Sequence, residues 1–337
     1  MAIVGTVAGE HESKWGISEM SDFDAAVDEA VNFERMQGPM PSVDNGVFRD
    51  ANVKGGDGRF RNGANDYVSG MGGLRVISFS DLVVRHDDLG LLLYLVGQNV
   101  SEGAGTPFEK TYTFYSATTQ PNFAADAGSF CQVGIYDTIA GYHRIYTSCI
   151  LRTLTLSVDL ADDGLLRASG EFISGRAENT TQTFNTGTWV YSPQDYWNFH
   201  VTPTKKIATV DTVLYGFDIT INNNAVRVGS TGANGECETY AIGTGETGYD
   251  ISGNVKVKYD TNVQDLFGRD SAGTSTSIQL ACGTDGATGN FDFTCNSCLL
   301  QGVGSDHADA RGHALEVPFV ATTTAVFTCS DAKDRAW

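Results

Sequence analysis

Apolar and polar positions alternate most regularly between Thr153 and Arg176 (TLTLSVDLADDGLLRASGEFISGR). Leu154, Leu156, Val158 and Leu160 share one face, and Leu166, Ala168, Gly170 and Phe172 return in the same phase across an Ala161-Asp162-Asp163-Gly164 turn. Period-two alternation on both sides of a turn predicts an antiparallel hairpin with one buried face. Leu154, Leu156, Val158, Leu160 and Phe172 are its candidate core face. The opposite face carries Thr153, Thr155, Ser157, Asp159, Arg167, Ser169 and Glu171, polar and mostly short. Eight residues per strand reach roughly 26 Å, long enough that the edges must be covered or used.

The same alternation recurs elsewhere. KTYTFYS, from Lys110, sets Tyr112 and Phe114 on one face; VLYGFDITINNNAVRV, from Val213, sets Phe217, Ile219 and Ile221 before an Asn-rich turn. ETYAIGTGETGYDISGNVKVKYD adds strands ending in Val255, Val257 and Tyr259, and HALEVPFVATTTAVFTC closes the pattern. Residues 205–320 read as a degenerate echo of 110–180, so an internal duplication is one reading of the order. Two stretches have helical character: Asp22–Arg35 (DFDAAVDEAVNFER), acidic in its first turn, and Asp87–Val96 (DDLGLLLYLV). The rest of residues 1–68 is rich in Gly, Pro, Asn and Asp with few apolar anchors, and reads as an arm that gains order by lying on something else. The expected division is an arm over 1–68, a β region over 69–200 with its helix near 87–96, and a region over 201–337. The last is either a second β domain or the C-terminal half of one sandwich.

Composition agrees with a mainly β chain. At 337 residues and 41% hydrophobic it can bury a sizeable core, and its 39 glycines against 7 prolines suit short strands joined by turns. The net charge of −19, with the 22 Lys and Arg scattered, argues against a surface that holds nucleic acid. No apolar run is long enough for a transmembrane helix, and the opening MAIVGTVAGEHESKWG lacks the basic start and apolar length of a signal peptide. Synthesis in a cytoplasm is therefore expected. Seven cysteines, an odd number, are expected to be reduced and buried instead of forming a disulfide scaffold.

Motifs that suggest chemistry lack the context it needs. Gly243–Gly248 (GTGETG) matches a dinucleotide fingerprint but is followed by strand character where a helix is required, so it reads as a loop. Cys295 and Cys298 have no second pair to complete a zinc site, and Asp306, His307, Asp309 and His313 fit no standard metal spacing. There is no nucleophile elbow beside any histidine. The expectation is a non-enzyme without cofactor or metal.

The order of these features resembles the tail tube proteins of long-tailed viruses of bacteria and archaea. The resemblance runs from Gly9 through most of the chain and rests on GEHESKWG, DDLGLLLYLVG, PFEKTYTFYSATTQPNF, ILRTLTLSVDL with RASGEFISGR, and GFDITINNNAVRV with TYAIGTGETGYDISGNVKVKYD. It implies a β-sandwich or barrel with long hairpins and short flanking helices. Subunits of this kind join edge to edge into rings that stack, through the arm and loops, into a hollow tail. Implied partners are further copies of the chain, a tape-measure protein, and tail terminator and tail-tip proteins; DNA passes through without specific binding, and no membrane is involved. The chain is longer than a one-domain tube subunit, leaving a hexamer of single domains or a trimer of double ones. If the polar hairpin face lines the channel, Asp159, Asp162, Asp163 and Glu171 are candidate lumen acids that repel phosphate. Rival readings are a capsid decoration or baseplate protein, and a carbohydrate-binding β-sandwich. The latter needs an aromatic platform, for which Trp15, Trp189, Trp197 and Trp337 are dispersed.

Overall fold

A computed structural model describes residues 13–20, 33–36, 38–44, 47–49, 67–69, 74–97, 100–103, 108–114, 130–137, 142–176, 189–190, 195–200, 204–229, 236–241, 249–283, 289–306 and 313–331. The first half supplies β1 (Ser13–Met20), β2 (Phe33–Arg35), β3 (Ser42–Asp44), β4 (Val47–Arg49), β5 (Tyr67–Ser69), β6 (Val76–Val83), α1 (His86–Gly97), β7 (Val100–Glu102), β8 (Phe108–Phe114), β9 (Phe130–Asp137), β10 (Tyr142–Asp159), β11 (Arg167–Ile173) and β12 (Trp189–Val190). The second supplies β13 (Thr204–Ile207), β14 (Val210–Asp211), β15 (Leu214–Asn222), β16 (Val226–Val228), β17 (Thr239–Ala241), β18 (Asp250–Lys258), α2 (Leu266–Ala272), β19 (Thr276–Cys282), β20 (Phe291–Leu300), β21 (Gly304–Asp306), β22 (Ala314–Ala321) and β23 (Ala325–Asp331).

The chain is mainly β, as its alternation predicts, and nearly all of its ladders are antiparallel. The hairpin of β10 and β11 forms about the expected turn, with Gly164 at φ 68°, in the left-handed region that glycine adopts without penalty. Strand β10 is much longer than the eight residues expected, at 18. Its first half pairs with β9 and its second half with β11 and β15, so it passes from one layer of the sandwich to the other. The passage is a bulge: Thr147 and Ser148 together face Gln132, and Ser148 takes a positive φ of 51°.

One layer is the sheet β3-β6-β11-β10-β15-β18-β22-β21. The other holds β2-β1-β9 with the start of β10, and β14-β13-β19-β20-β23-β8-β7. Between them lies a core drawn from both halves of the chain, including Trp15, Phe79, Leu154, Leu156, Phe172, Phe217, Ile219, Val255, Phe293 and Phe319. A cut at residue 200 does not coincide with a break in it. Helix α1 sits inside this core instead of flanking it, because LGLLLYLV is apolar on every side and no polar stripe remains to face water.

Residues 1–68 differ in part from the arm expected. Trp15, Ile17, Phe33 and Met36 are buried, and β1, β2 and β3 are strands of the main sheets. A few large anchors spaced along a polar segment proved sufficient. Of the helix expected over Asp22–Arg35, Phe33–Arg35 is strand β2 instead, held by β1 on one side and by β12 on the other, and the remainder lies outside the described residues.

The pairings of the first half repeat in the second. The ladders β2-β1-β9-β10-β11-β6-β3 and β14-β13-β19-β20-β22-β18-β15 have the same connectivity in the same chain order. Their registers coincide. The cross-sheet line Glu34, Ile17, Val133, Tyr146 has its counterpart in Val210, Ile207, Ile278, Cys295. The bulge recurs as well, with Asn296 and Ser297 facing Ser277 before Cys298, as Thr147 and Ser148 face Gln132 before Cys149. Beyond it, Leu151, Phe172, Ile77, Val43 is matched by Leu300, Phe319, Gly253, Ile219. A two-stranded ribbon follows in each case, β4 with β5 after β3, and β16 with β17 after β15.

Candidate channel face and subunit joint

The eight-strand sheet has two unlike faces because its strands alternate. Leu154, Leu156 and Val158 of the candidate core face and Phe172 opposite them are buried, and Leu160, at the turn, packs against the core partly buried. The other face carries Thr153, Thr155 and Ser157 of β10, Ser169 and Glu171 of β11, Asp218 and Thr220 of β15, Asn254 and Lys256 of β18, and Glu316 of β22.

The candidate acids lie on this face or at its turn, and most are already engaged. Glu171 pairs with Arg152. Arg167 reaches Asp81 and Asp163 at 2.6 Å each and Asp162 at 3.8 Å. Asp163 also accepts a hydrogen bond from the Leu165 N–H at 3.0 Å, which with Arg167 holds its carboxyl below the usual carboxylate range. Asp159 accepts from the Ala161 N–H at 2.7 Å and fixes the turn. Sequence reasoning missed Asp218, which lines the same groove as Asp159 and Lys256 near the hairpin tip. Burial pushes its carboxyl up, and nearby Glu316 adds to the shift. The alternation FDITI placed it opposite Phe217 and Ile219, so the signal was present; what it lacked was the neighbour.

The two repeats meet along β10 and β15. Thr155 pairs with Thr220 and Leu156 with Ile219, and the threonine hydroxyls are 2.9 Å apart. The β16–β17 ribbon lies across this joint. Tyr240 donates its hydroxyl to the carbonyls of Ser148 and Ile173 at 2.7 and 2.9 Å, and the Arg227 guanidinium donates to those of Ser174 and Arg75 at 2.8 and 2.6 Å. Helix α1 is fastened from the second half too: Asn223 donates to the Val96 carbonyl at 3.1 Å and Tyr249 to that of Gly97 at 2.8 Å. At its other end the buried Arg85 binds Asp88 through two contacts of 2.7 and 2.8 Å and also donates to the Arg35 carbonyl, tying β2 to the helix.

A family model described as a phage tail tube protein matches residues 51–324. The chain belongs to the phage tail tube protein family. Its match begins ahead of β5 and β6 and ends between β22 and β23, so it takes in the first repeat of this tail tube chain from β6 onward and the whole of the second. No curated protein matches the sequence. Membership makes this a structural protein of the virion tail, built on a β-rich tube fold. No helix among the described residues is long and apolar enough to cross a membrane.

Gly243–Gly248, His307 and Asp309 lie outside the described residues, Asp306 is in β21, and His313 immediately precedes β22. Among the described residues no three metal-binding side chains cluster. All seven cysteines are buried, and none is joined to another in a disulfide. Cys295 and Cys298 lie beside the second bulge, where the Cys295 thiol donates to the Ser297 carbonyl at 3.4 Å and the Cys298 thiol to the Thr276 carbonyl at 3.2 Å; the proximity of the two pulls the Cys295 thiol down and, with burial, pushes that of Cys298 up. Trp15 and Trp197 are core residues, which removes two of the four tryptophans from any sugar-binding platform.

Proposed function

We propose that three copies of this chain close a ring of six tube units, and that such rings stack into the hollow tail through which viral DNA leaves. The repeated ladder carries the proposal: one chain holds two units of the same connectivity and register, so three chains supply what six single-unit subunits would. On this reading the two units are tandem tube domains. The first comprises β1 to β11 and the second β13 to β22.

The polar face of the eight-strand sheet then lines the channel. Its acids outnumber Arg152, Arg167 and Lys256, so phosphate is repelled overall while ion pairs keep the local field modest. The lumen holds the tape-measure protein during assembly and guides DNA during ejection, and terminator and tip proteins close the two ends. The expected arm, residues 1–68, supplies the contacts from ring to ring. Assembly takes place in the host cytoplasm.

Electron microscopy of assembled tubes tests the ring. End-on averages are expected to show three-fold symmetry with a near six-fold outline, and the mass per ring three times 36.0 kDa. Rings of six chains would overturn the stoichiometry.

A further inference from the structure

The two bulges are held in different ways. In the first, the Ser148 carbonyl accepts the Tyr240 hydroxyl at 2.7 Å, so the β16–β17 ribbon clamps the point where β10 changes layers. In the second, the counterpart carbonyl of Ser297 accepts from the Thr322 N–H at 3.0 Å, the Thr322 hydroxyl at 3.1 Å and the Cys295 thiol at 3.4 Å, all within one unit. Ser148 is fully buried, whereas Asn296, beside Ser297, is exposed. The inserted residue also changes which side chains are neighbours. Asn296 and Ser297 together face Ser277, so Cys295 and Cys298, three apart in sequence, stand as consecutive residues of the buried face. Consecutive residues on one strand face lie roughly 6.6 Å apart, twice the rise per residue, near the upper end of the span of about 4.4–6.8 Å that a disulfide bridges. The Cys295 side chain leans over the peptide that carries Cys298, as its contact with the Ser297 carbonyl shows, and the two thiols are close enough to alter each other's ionisation. Their strand partners differ. Cys295 is flanked by Ile278 and Ala325, and Cys298 by Thr276 and by Ala321 of the opposite layer. In the first unit Tyr146 stands where Cys295 does, so this pair of thiols belongs to the second bulge alone.

We propose that Cys295 and Cys298 are the site of a disulfide within the chain, which closes once the tail leaves the reducing host cytoplasm and locks the second bulge as the ribbon locks the first. Both side chains are fully buried, so the oxidant is a small one, hydrogen peroxide. The Cys295 sulfur attacks one oxygen of the peroxide, the O–O bond breaks, and the departing hydroxide takes the Cys295 proton and leaves as water, with Cys295 now a sulfenic acid. The Cys298 sulfur then attacks the Cys295 sulfur. The S–O bond breaks, and the hydroxyl takes the Cys298 proton and leaves as a second water. Two thiols and one peroxide thus give one disulfide and two waters. A bridge closed near the long end of its permitted span is easily reduced, which keeps it open in a cytoplasm. Once closed, it fixes the strand on both sides of the layer crossing. The timing rests on assembly in the host cytoplasm, but the bond itself can be read separately.

The unaltered full-length chain, purified under reductant, serves for the test, so no variant has to fold. After brief exposure to hydrogen peroxide it is denatured, alkylated without reductant and mapped by mass spectrometry. Five of the seven cysteines are expected to carry the alkyl group, and the peptide holding Cys295 and Cys298 to be lighter by two hydrogens and to take the label only after reduction. Alkylation of both, a bridge between Cys131 and Cys149 in their place, or sulfinic acid at Cys295 with Cys298 still reactive would overturn the site. Phenylarsine oxide, which joins two adjacent thiols with loss of water, probes their proximity without oxidation and is expected to protect the same two cysteines. Protection by the arsenical with no disulfide after peroxide would overturn the bridge while leaving the thiols adjacent. Amide hydrogen exchange reads the lock. In the oxidised chain Asn296–Leu300 are expected to exchange several-fold more slowly than in the reduced one, and unchanged exchange with the bridge in place would overturn the locking role.

Discussion

At the scale of single residues, Asp218 shows what charge costs on the polar face of the eight-strand sheet. Its folded pKa lies above the usual value of 3.8 because burial and Glu316 both disfavour the anion. Such a group places no penalty on folding below its unfolded value and an increasing one as pH rises through its folded value. Asp218→Asn is therefore expected to raise the thermal midpoint at pH 7, with the gain shrinking as pH falls toward 4. An equal gain at both pH values would show that packing, not charge, is responsible. Residue roles were unevenly legible. Leu154, Leu156, Val158 and Phe172 were read from alternation alone, because burial follows period two in a strand. The engagement of Asp162, Asp163 and Glu171 was not, since Arg167 and Arg152 acquire those partners only when β6, β10 and β11 come together.

Among the elements, the closest approach in the eight-strand sheet is made by Gly253 of β18. A Cβ there would lie 2.3 Å from the Asp218 carbonyl oxygen and 2.8 Å from the Phe319 ring. The carbonyl belongs to the neighbouring strand and cannot rotate away without breaking the ladder. Gly253→Ala is expected to cost about 1–3 kcal/mol in denaturant unfolding, as overpacking does. Gly268→Ala, in α2 where a Cβ meets nothing within 4 Å, serves as the contrasting variant and is expected to be neutral or slightly stabilising. Helix α1 was legible because DLGLLLYLV is too apolar and too long for a half-buried strand. The length of β10 was not. Thr147 and Ser148 interrupt the alternation, and in the fold they form the bulge that carries one strand between layers. The echo between halves was visible only as a similar order of strands. Identities such as Cys149 with Cys298 and Phe172 with Phe319 are too sparse to reveal it until register aligns them.

For the whole molecule, stacking and ring closure are separable on the proposed reading. Replacing residues 50–66 by a short Gly-Ser turn keeps β4 and β5 within hairpin reach of each other, and is expected to leave rings while abolishing tubes. Tubes of normal length from the shortened chain would remove that segment from the stacking contacts. The internal joint has a further consequence for how a tail grows. Because β10 and β15 belong to one polypeptide, that seam forms as the chain folds and does not depend on how many copies are present. In a ring of three such chains, half of the seams are concentration-independent, and ring formation varies with roughly the third power of free chain instead of the sixth. Early in infection, when copies are few, a doubled subunit would reach the threshold for its first ring sooner than a single-unit chain with an equally strong edge.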